Sequence, residues 1–114
     1  MTEDRPLSPG ERALLAELLT RGEGTSALLA QLEAARVVAR CDCGCPSIEI
    51  AVADAAGADP PMSGVVVSAE ALSPEGVPVD VIVFAQAGRI WRLEIGVYHP
   101  DAVVTLPTAL AWVA

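Results

Sequence analysis

The chain has 114 residues, of which 53% are apolar and only 4% aromatic, and its formal net charge is −8. Seven basic residues against fifteen acidic ones argue against nucleic acid and against an anionic membrane as partners, because both require clustered positive charge. The high apolar content excludes intrinsic disorder. The length fits one folding unit, so we expect a single domain over residues 1–114.

The start of the chain, Met1 to Pro6, is polar and acidic. A secretory signal would instead begin with basic residues followed by an apolar stretch. No apolar run approaches the roughly 20 residues that a membrane-spanning helix needs. We therefore expect a cytoplasmic protein, in which cysteines are more often free thiols or metal ligands than structural disulfides.

The first third of the chain predicts two helices. Ser8, Pro9 and Glu11 form a capping box with proline at the first helical position. Four leucines then recur at helical spacing, namely Leu14, Leu15, Leu18 and Leu19. Gly22 is expected to end this helix in the left-handed conformation. A second N-cap at Thr25 or Ser26 precedes another apolar stripe, formed by Leu28, Leu29, Leu32 and Ala35.

From Val37 onward, apolar and polar residues alternate, which is typical of strands. The expected strands are Ile48–Val52, 65–71, 79–86 and Arg89–Val97. A surface loop at 54–63, a turn at 73–76 and a tight turn at Ala87-Gly88 connect them. Trp91, Leu93 and Ile95 are predicted to share one side of the last strand, with Ile90, Arg92 and Glu94 on the other. The tail beyond Pro100 is compatible with helix or strand.

This order of elements predicts an α+β fold. Segregated helices and strands favour two N-terminal helices packed on one face of a roughly four-stranded antiparallel β-meander.

The most unusual chemistry is a cluster of three cysteines, Cys41, Cys43 and Cys45. With His99, the only histidine, they would complete a Cys₃His zinc site. The spacing is unfavourable, since side chains two apart on an extended segment lie roughly 6.6 Å apart. Structural zinc sites also usually place two residues between paired cysteines, where this cluster has one.

Two other interpretations of the cluster stay open. One is redox chemistry, either a Cys-x-Cys disulfide or a reactive thiolate beside Arg40, although a reactive thiolate requires positive charge that is scarce here. The simpler one is a turn into the strand at Ile48, with sulfur side chains packed as small hydrophobes. A His99–Asp101 pair for acid–base work is a further candidate, but turn chemistry explains it equally well.

Arg89 and Arg92 flank Trp91 on the last predicted strand. Because Arg and Trp are enriched at the hot spots of protein interfaces, these three residues form a candidate interaction patch. The alternative is that Trp91 belongs to the core.

Three segments carry a resemblance to known proteins: LSPGERALL at 7–15, CGCPSI at 43–48 and VFAQAGRIWRLE at 83–94. They resemble a family of small bacterial proteins of uncharacterised activity from GC-rich, actinobacterial-type genomes, with a CxCGCPS motif. The resemblance spans most of the chain and implies no catalytic residue.

No catalytic set converges in the sequence, so we expect a non-enzymatic protein without a cofactor that acts through contacts with a protein partner or by self-association. The acidic surface favours a basic partner. One alternative is a thiolate site, zinc-binding or redox, on the cysteine cluster. A second alternative is a small-molecule site between the helices and the sheet.

Overall fold

The computed structural model describes residues 2–41, 45–52, 63–98, 101–108 and 110–111. Within these ranges the chain forms one antiparallel sheet in the order β1-β2-β3-β6-β5-β4-β7. The strands are β1 Thr2–Pro6, β2 Ala35–Arg40, β3 Ile48–Val52, β4 Gly64–Leu72, β5 Pro78–Gln86, β6 Arg89–Val97 and β7 Leu110–Ala111. The helices are the α-helix α1, Pro9–Arg21, and a 3₁₀ helix, Ser26–Glu33.

The molecule is α+β, but the predicted four-stranded meander with two N-terminal helices is wrong. The described sheet has six strands of five to nine residues and the two-residue β7. The chain also begins with a strand, not a helix. β1 carries three charged residues and a proline, so it gives no alternating apolar signal, and its pairing with β2 is what makes it a strand.

The sheet is built from two meanders that meet in its middle. β1, β2 and β3 are consecutive neighbours, and so are β4, β5 and β6. β4 does not continue beside β3. Instead, β6 pairs with β3, so that Ile48 lies opposite Leu93 and Glu49 opposite Arg92. The predicted loop at 54–63, which joins the two meanders, lies outside the described residues except for Ser63.

The core lies on one face of this sheet. Leucines of α1 and the 3₁₀ helix pack there against inward-facing aliphatic residues of the strands. The fully buried members include Leu15, Leu18, Leu19, Leu28, Val37, Val79, Val81, Val83, Ile90 and Leu93. We call this side the inner face and the opposite side of the sheet the outer face. No helix within the described ranges is long and apolar enough to cross a membrane.

The predicted capping box at the start of α1 is confirmed. The Ser8 hydroxyl accepts a hydrogen bond from the Glu11 N–H at 3.1 Å, and the Ser8 N–H donates to the Glu11 carboxylate at 2.8 Å. Pro9 occupies the first turn, where its missing N–H has no helical partner to lose.

The expected left-handed conformation of Gly22 is wrong, because its backbone is extended with φ −69° and ψ 150°. Glycine is required there by close packing. A Cβ at this position would lie 2.5 Å from Thr25 Oγ1 and 3.0 Å from the Val67 side chain. Gly22 therefore lets the end of α1 approach β4.

The second predicted helix is a 3₁₀ helix that ends at Glu33, and Ala35 already belongs to β2. Thr25 does not cap it with its side chain, and its hydroxyl donates instead to the Leu19 carbonyl at 2.6 Å. The buried side of this helix includes Gln31, which is 2% exposed. Its amide donates to the Gly88 carbonyl at 2.7 Å and accepts from the Ile90 N–H at 3.0 Å.

The predicted turn between β5 and β6 is confirmed. Ala87 and Gly88 both have positive φ, 51° and 79°, as a two-residue turn of type I′ requires. The turn at Ser73 is also present, with the Gly76 N–H donating to the Ser73 carbonyl at 2.8 Å.

We predict that Gln31→Leu lowers the free energy of unfolding by about 1–3 kcal/mol, because it leaves a buried carbonyl and a buried N–H without their partner. Chemical denaturation measures the change. Gln86→Leu, at an exposed position on the same hairpin, is the matched control and is expected to change stability by less than about 0.5 kcal/mol. Equal effects of the two substitutions would contradict the role of Gln31.

Candidate functional site

Trp91 lies on the outer face, in contrast to the prediction that it shares a side with Leu93 and Ile95. The tight turn pairs Ala85 with Ile90, but the next pair joins Phe84 to Arg92, so Trp91 is the extra residue of a β-bulge. Because the bulge adds one residue to β6, Ile90 and Leu93 both face the core. Ile90 is 1% exposed, whereas Trp91 is 36% exposed. The alternative assignment of Trp91 to the core is therefore incorrect.

Aromatic contact holds the exposed ring of Trp91 in place. The centroids of the Phe84 and Trp91 rings are 5.9 Å apart, with the ring planes tilted by 53°. This tilted arrangement is one that aromatic pairs favour. Phe84 and its neighbour Ile82 are only half-buried, so the outer face has an apolar centre. We call Ile82, Phe84 and Trp91 the Trp91 patch.

Charged residues surround the Trp91 patch. Arg92, opposite Phe84, lies 3.2 Å from the Glu94 carboxylate and 3.8 Å from that of Glu49. Arg89 is exposed at the first position of β6. Four carboxylates of β3 to β6 lie on the outer face, with Glu49 and Glu94 next to Arg92 and with Glu70 and Asp80 farther along the strands. The outer face of the central strands therefore has a net negative charge around an apolar centre.

A hollow of about 280 Å³ opens at the end of the outer face, lined by Glu70, Leu72, Pro78 and Tyr98 among others. The Tyr98 hydroxyl donates to the Asp80 carboxylate at 2.6 Å. This hydrogen bond and the negative charge of Asp80 and Glu70 raise the pKa of Tyr98. Glu70 is the carboxylate among the residues that line this hollow.

The cysteine cluster lies between β2 and β3. Cys41 is disulfide-bonded, whereas Cys45 is not in a disulfide and its side chain is half-buried. A cysteine in a disulfide supplies no thiolate ligand, so Cys41 could ligate zinc only after reduction. Cys43 and His99 lie outside the described residues, and within the described ones no group of three or more potential ligands could hold a metal ion. The zinc site stays a prediction.

Backbone hydrogen bonds fix both ends of the segment that carries the cysteines. The Cys41 N–H donates to the Ser47 carbonyl at 3.2 Å, which closes the connection between β2 and β3. The buried hydroxyl of Ser47 accepts from the Ile95 N–H at 2.8 Å. Ser47 thus attaches the connection to β6, and Cys45 lines a neighbouring cavity.

That cavity has a volume of about 270 Å³, and its lining includes Arg5, Glu11, Arg40, Cys45 and Leu106. We call it the Cys45 cavity. Its walls come from β1, the first turn of α1, the β2–β3 connection and the segment 104–106. This cavity opens at the N-terminal end of α1, and the small-molecule site expected between the helices and the sheet stays a prediction. Sequence reasoning missed the cavity, since β1 gave no strand signal.

Ion pairs organise the charged wall of the Cys45 cavity. Arg5 forms a bidentate pair with Glu11, with N–O distances of 2.8 and 3.0 Å. The two Glu3 oxygens each lie 3.0 Å from an arginine Nε, one from Arg5 and the other from Arg40. Both guanidinium groups are therefore anchored on one carboxylate at the mouth of the cavity.

Glu11 is the most buried charged group of this network, with its side chain 8% exposed. Burial alone would raise the pKa of Glu11, but hydrogen bonds from Arg5 and from the Ser8 N–H outweigh it and hold the pKa below its usual value. Glu11 in turn raises the pKa of Arg5. The carboxylate is therefore charged in the folded protein.

The remaining candidate, a His99–Asp101 pair, is not tested, because His99 lies outside the described residues. Arg89, Trp91 and Arg92 lie within the first four residues of β6, and their role as an interaction patch stays a prediction. No protein-family model, curated protein or solved structure matches this chain.

We predict that Glu11→Gln destabilises the protein by about 1–2 kcal/mol at neutral pH, a value reduced because Arg5 is 37% exposed. The folded-state pKa of Glu11 is depressed, so its stabilisation is present above the unfolded value of about 4.5 and is lost as the pH falls through the folded-state pKa. The difference between wild type and variant should therefore shrink in acid. Denaturation at several pH values measures it, with exposed Glu33→Gln as the control. A difference that stays constant with pH would contradict this assignment.

Proposed function

We propose that this protein is a non-enzymatic binding module that contacts a protein partner through the Trp91 patch. The observation that carries the proposal is the outward position of Trp91, which a β-bulge removes from the core. A large aromatic side chain with 36% exposure is costly to leave in water and contributes strongly when a partner covers it.

The negative charge of the outer face indicates that the partner's surface is basic. The outer face of β3 to β6 carries four carboxylates against Arg89 and Arg92, and the whole chain has a net charge of −8. A second copy of the chain would bring like charge to this surface. A surface that combines apolar side chains with Lys or Arg is complementary to it, and its association would be steered by charge.

The geometry of the outer face supports the same partner. The Trp91 patch supplies the apolar contact, and the hollow beside Tyr98 can receive a basic side chain next to Glu70. Cationic side chains are also attracted to the faces of aromatic rings such as those of Trp91 and Tyr98. The Cys45 cavity is not needed for this function.

A peptide that alternates leucine and lysine is a suitable probe, because it presents an apolar edge and a basic edge. We predict that it perturbs the backbone amide NMR signals of β5 and β6 around Phe84 and Trp91. Trp91→Ser should weaken the affinity about tenfold, the loss of a single hot spot. Raising the salt concentration should weaken binding as well.

Two controls decide the result. Val103 is 80% exposed on the segment 101–108, so Val103→Ser removes an exposed apolar side chain away from the patch and should leave the affinity unchanged. A peptide that alternates leucine and glutamate should not bind. Signals that move elsewhere, or an affinity that Trp91→Ser does not change, would refute the Trp91 patch as the binding surface.

A further inference from the structure

We infer that the partner contributes an extended segment, which binds as an added strand beside Gly64–Ala69 of β4. This inference rests on the proposed function, because it names the conformation in which the partner of the Trp91 patch binds. A peptide that adds to the edge of a sheet gains affinity from main-chain hydrogen bonds and specificity from its alternate side chains.

The first observation is that β4 is covered by a very short neighbour. β7 has two residues and pairs with β4 only at Glu70 and Ala71. Over Gly64–Ala69, no strand in the described part of the chain pairs with the side of β4 that faces away from β5. We call this side the β4 edge. In an antiparallel ladder, the N–H and C=O groups of alternate residues point away from the paired neighbour, so the β4 edge presents main-chain groups to an added strand.

The second observation is that the two ends of the sheet differ in composition. β1, at the opposite end, carries Glu3, Asp4 and Arg5 as well as a proline, and its register with β2 is irregular. Charges and proline are features by which edge strands avoid pairing with other chains. The segment Gly64–Ala69 has neither, and its three consecutive valines favour strand pairing. The β4 edge is therefore the end of the sheet that is suited to receive a strand.

The third observation is that the β4 edge is continuous with the Trp91 patch through a second bulge, at Val66. This bulge sets Val65 opposite Phe84, and directly opposite residues of an antiparallel pair point to the same face. Val65 therefore lies on the outer face and is 57% exposed, whereas Val67 faces the core and is 8% exposed. An apolar surface thus runs from Trp91 over Phe84 to Val65 at the β4 edge.

Charge decides between a segment of a partner and a second copy of this chain. A second copy would bring a further net charge of −8 to a sheet whose outer face is already acidic. A strand that alternates apolar and basic residues can cover Val65 with an apolar side chain, and its positive charge is attracted to the acidic chain. The occupant of the β4 edge is therefore an extended segment of a basic partner.

The test uses the alternating leucine and lysine peptide and follows amide hydrogen exchange of the protein by NMR. At saturation with peptide, the amides of the β4 edge that point away from β5 should exchange about tenfold more slowly, because they gain hydrogen bonds to the added strand. The amides of β1 are the internal control, since β1 is the other edge of the sheet, and their exchange should not change.

A charge placed at the β4 edge provides a second measurement. Val65→Lys removes an apolar side chain and sets a positive charge beside the basic strand, so the affinity for the peptide should fall about tenfold. Val103→Lys is the matched control, because it adds the same charge at a valine that is 80% exposed on the segment 101–108. It should leave the affinity nearly unchanged.

The outcomes separate this inference from the proposed function. An affinity that Trp91→Ser weakens, without slowed exchange at the β4 edge and without an effect of Val65→Lys, would overturn the added strand and leave the Trp91 patch as the binding surface. An affinity that neither substitution changes would refute both. A dimer of the protein alone in analytical ultracentrifugation, with the amides of the β4 edge already protected, would show that a second copy occupies the edge and would also overturn the inference.

Discussion

The pairing register of the hairpin formed by β5 and β6 is the constraint on which the binding surface depends. The two-residue turn at Ala87-Gly88 sets Ala85 opposite Ile90, and the inward alternation of β5 then requires Ile90 to face the core. Leu93 also faces the core, three positions later, so one residue between them must be inserted as a bulge. That residue is Trp91. One insertion therefore both completes the core and places an indole ring on the outer face.

The two faces of the sheet carry different kinds of side chain. The inner face is filled by leucines of α1 and the 3₁₀ helix, and Gln31 connects the latter to the hairpin through two buried hydrogen bonds. The outer face carries aromatic side chains among carboxylates. At the N-terminal end of α1, the pairs of Arg5 with Glu11 and Glu3 and of Arg40 with Glu3 connect β1, α1 and β2. These ion pairs both stabilise the fold and form part of the wall of the Cys45 cavity.

Local signals predicted the elements whose stabilising contacts are close in sequence. The capping box of Ser8 and Glu11, the Ala87-Gly88 turn and the bounds of β6 follow from short-range rules. β1 was missed because its strand conformation depends on pairing with residues thirty or more positions away. The leucine spacing predicts a helix over Ser26–Glu33 but does not distinguish a 3₁₀ helix from an α-helix over so short a segment.

The candidate sites were predictable in part. The grouping of Arg89, Trp91 and Arg92 was visible in the sequence, and counting residue pairs from the turn would have revealed the bulge that exposes Trp91. The Cys45 cavity was not accessible to sequence reasoning, since it joins residues of β1, β2, α1 and the segment 104–106 that have no periodic relation to one another. These residues come together only in the folded chain, and in the sequence none of them differs from an ordinary surface residue.

The most direct test of the account is a nuclear Overhauser spectrum of the hairpin. The structure predicts cross-peaks between the ring protons of Phe84 and Trp91, whose centroids are 5.9 Å apart, and cross-strand contacts between Ala85 and Ile90. Cross-peaks from the Trp91 indole to the leucine methyl groups of α1 would place the ring in the core and contradict the account.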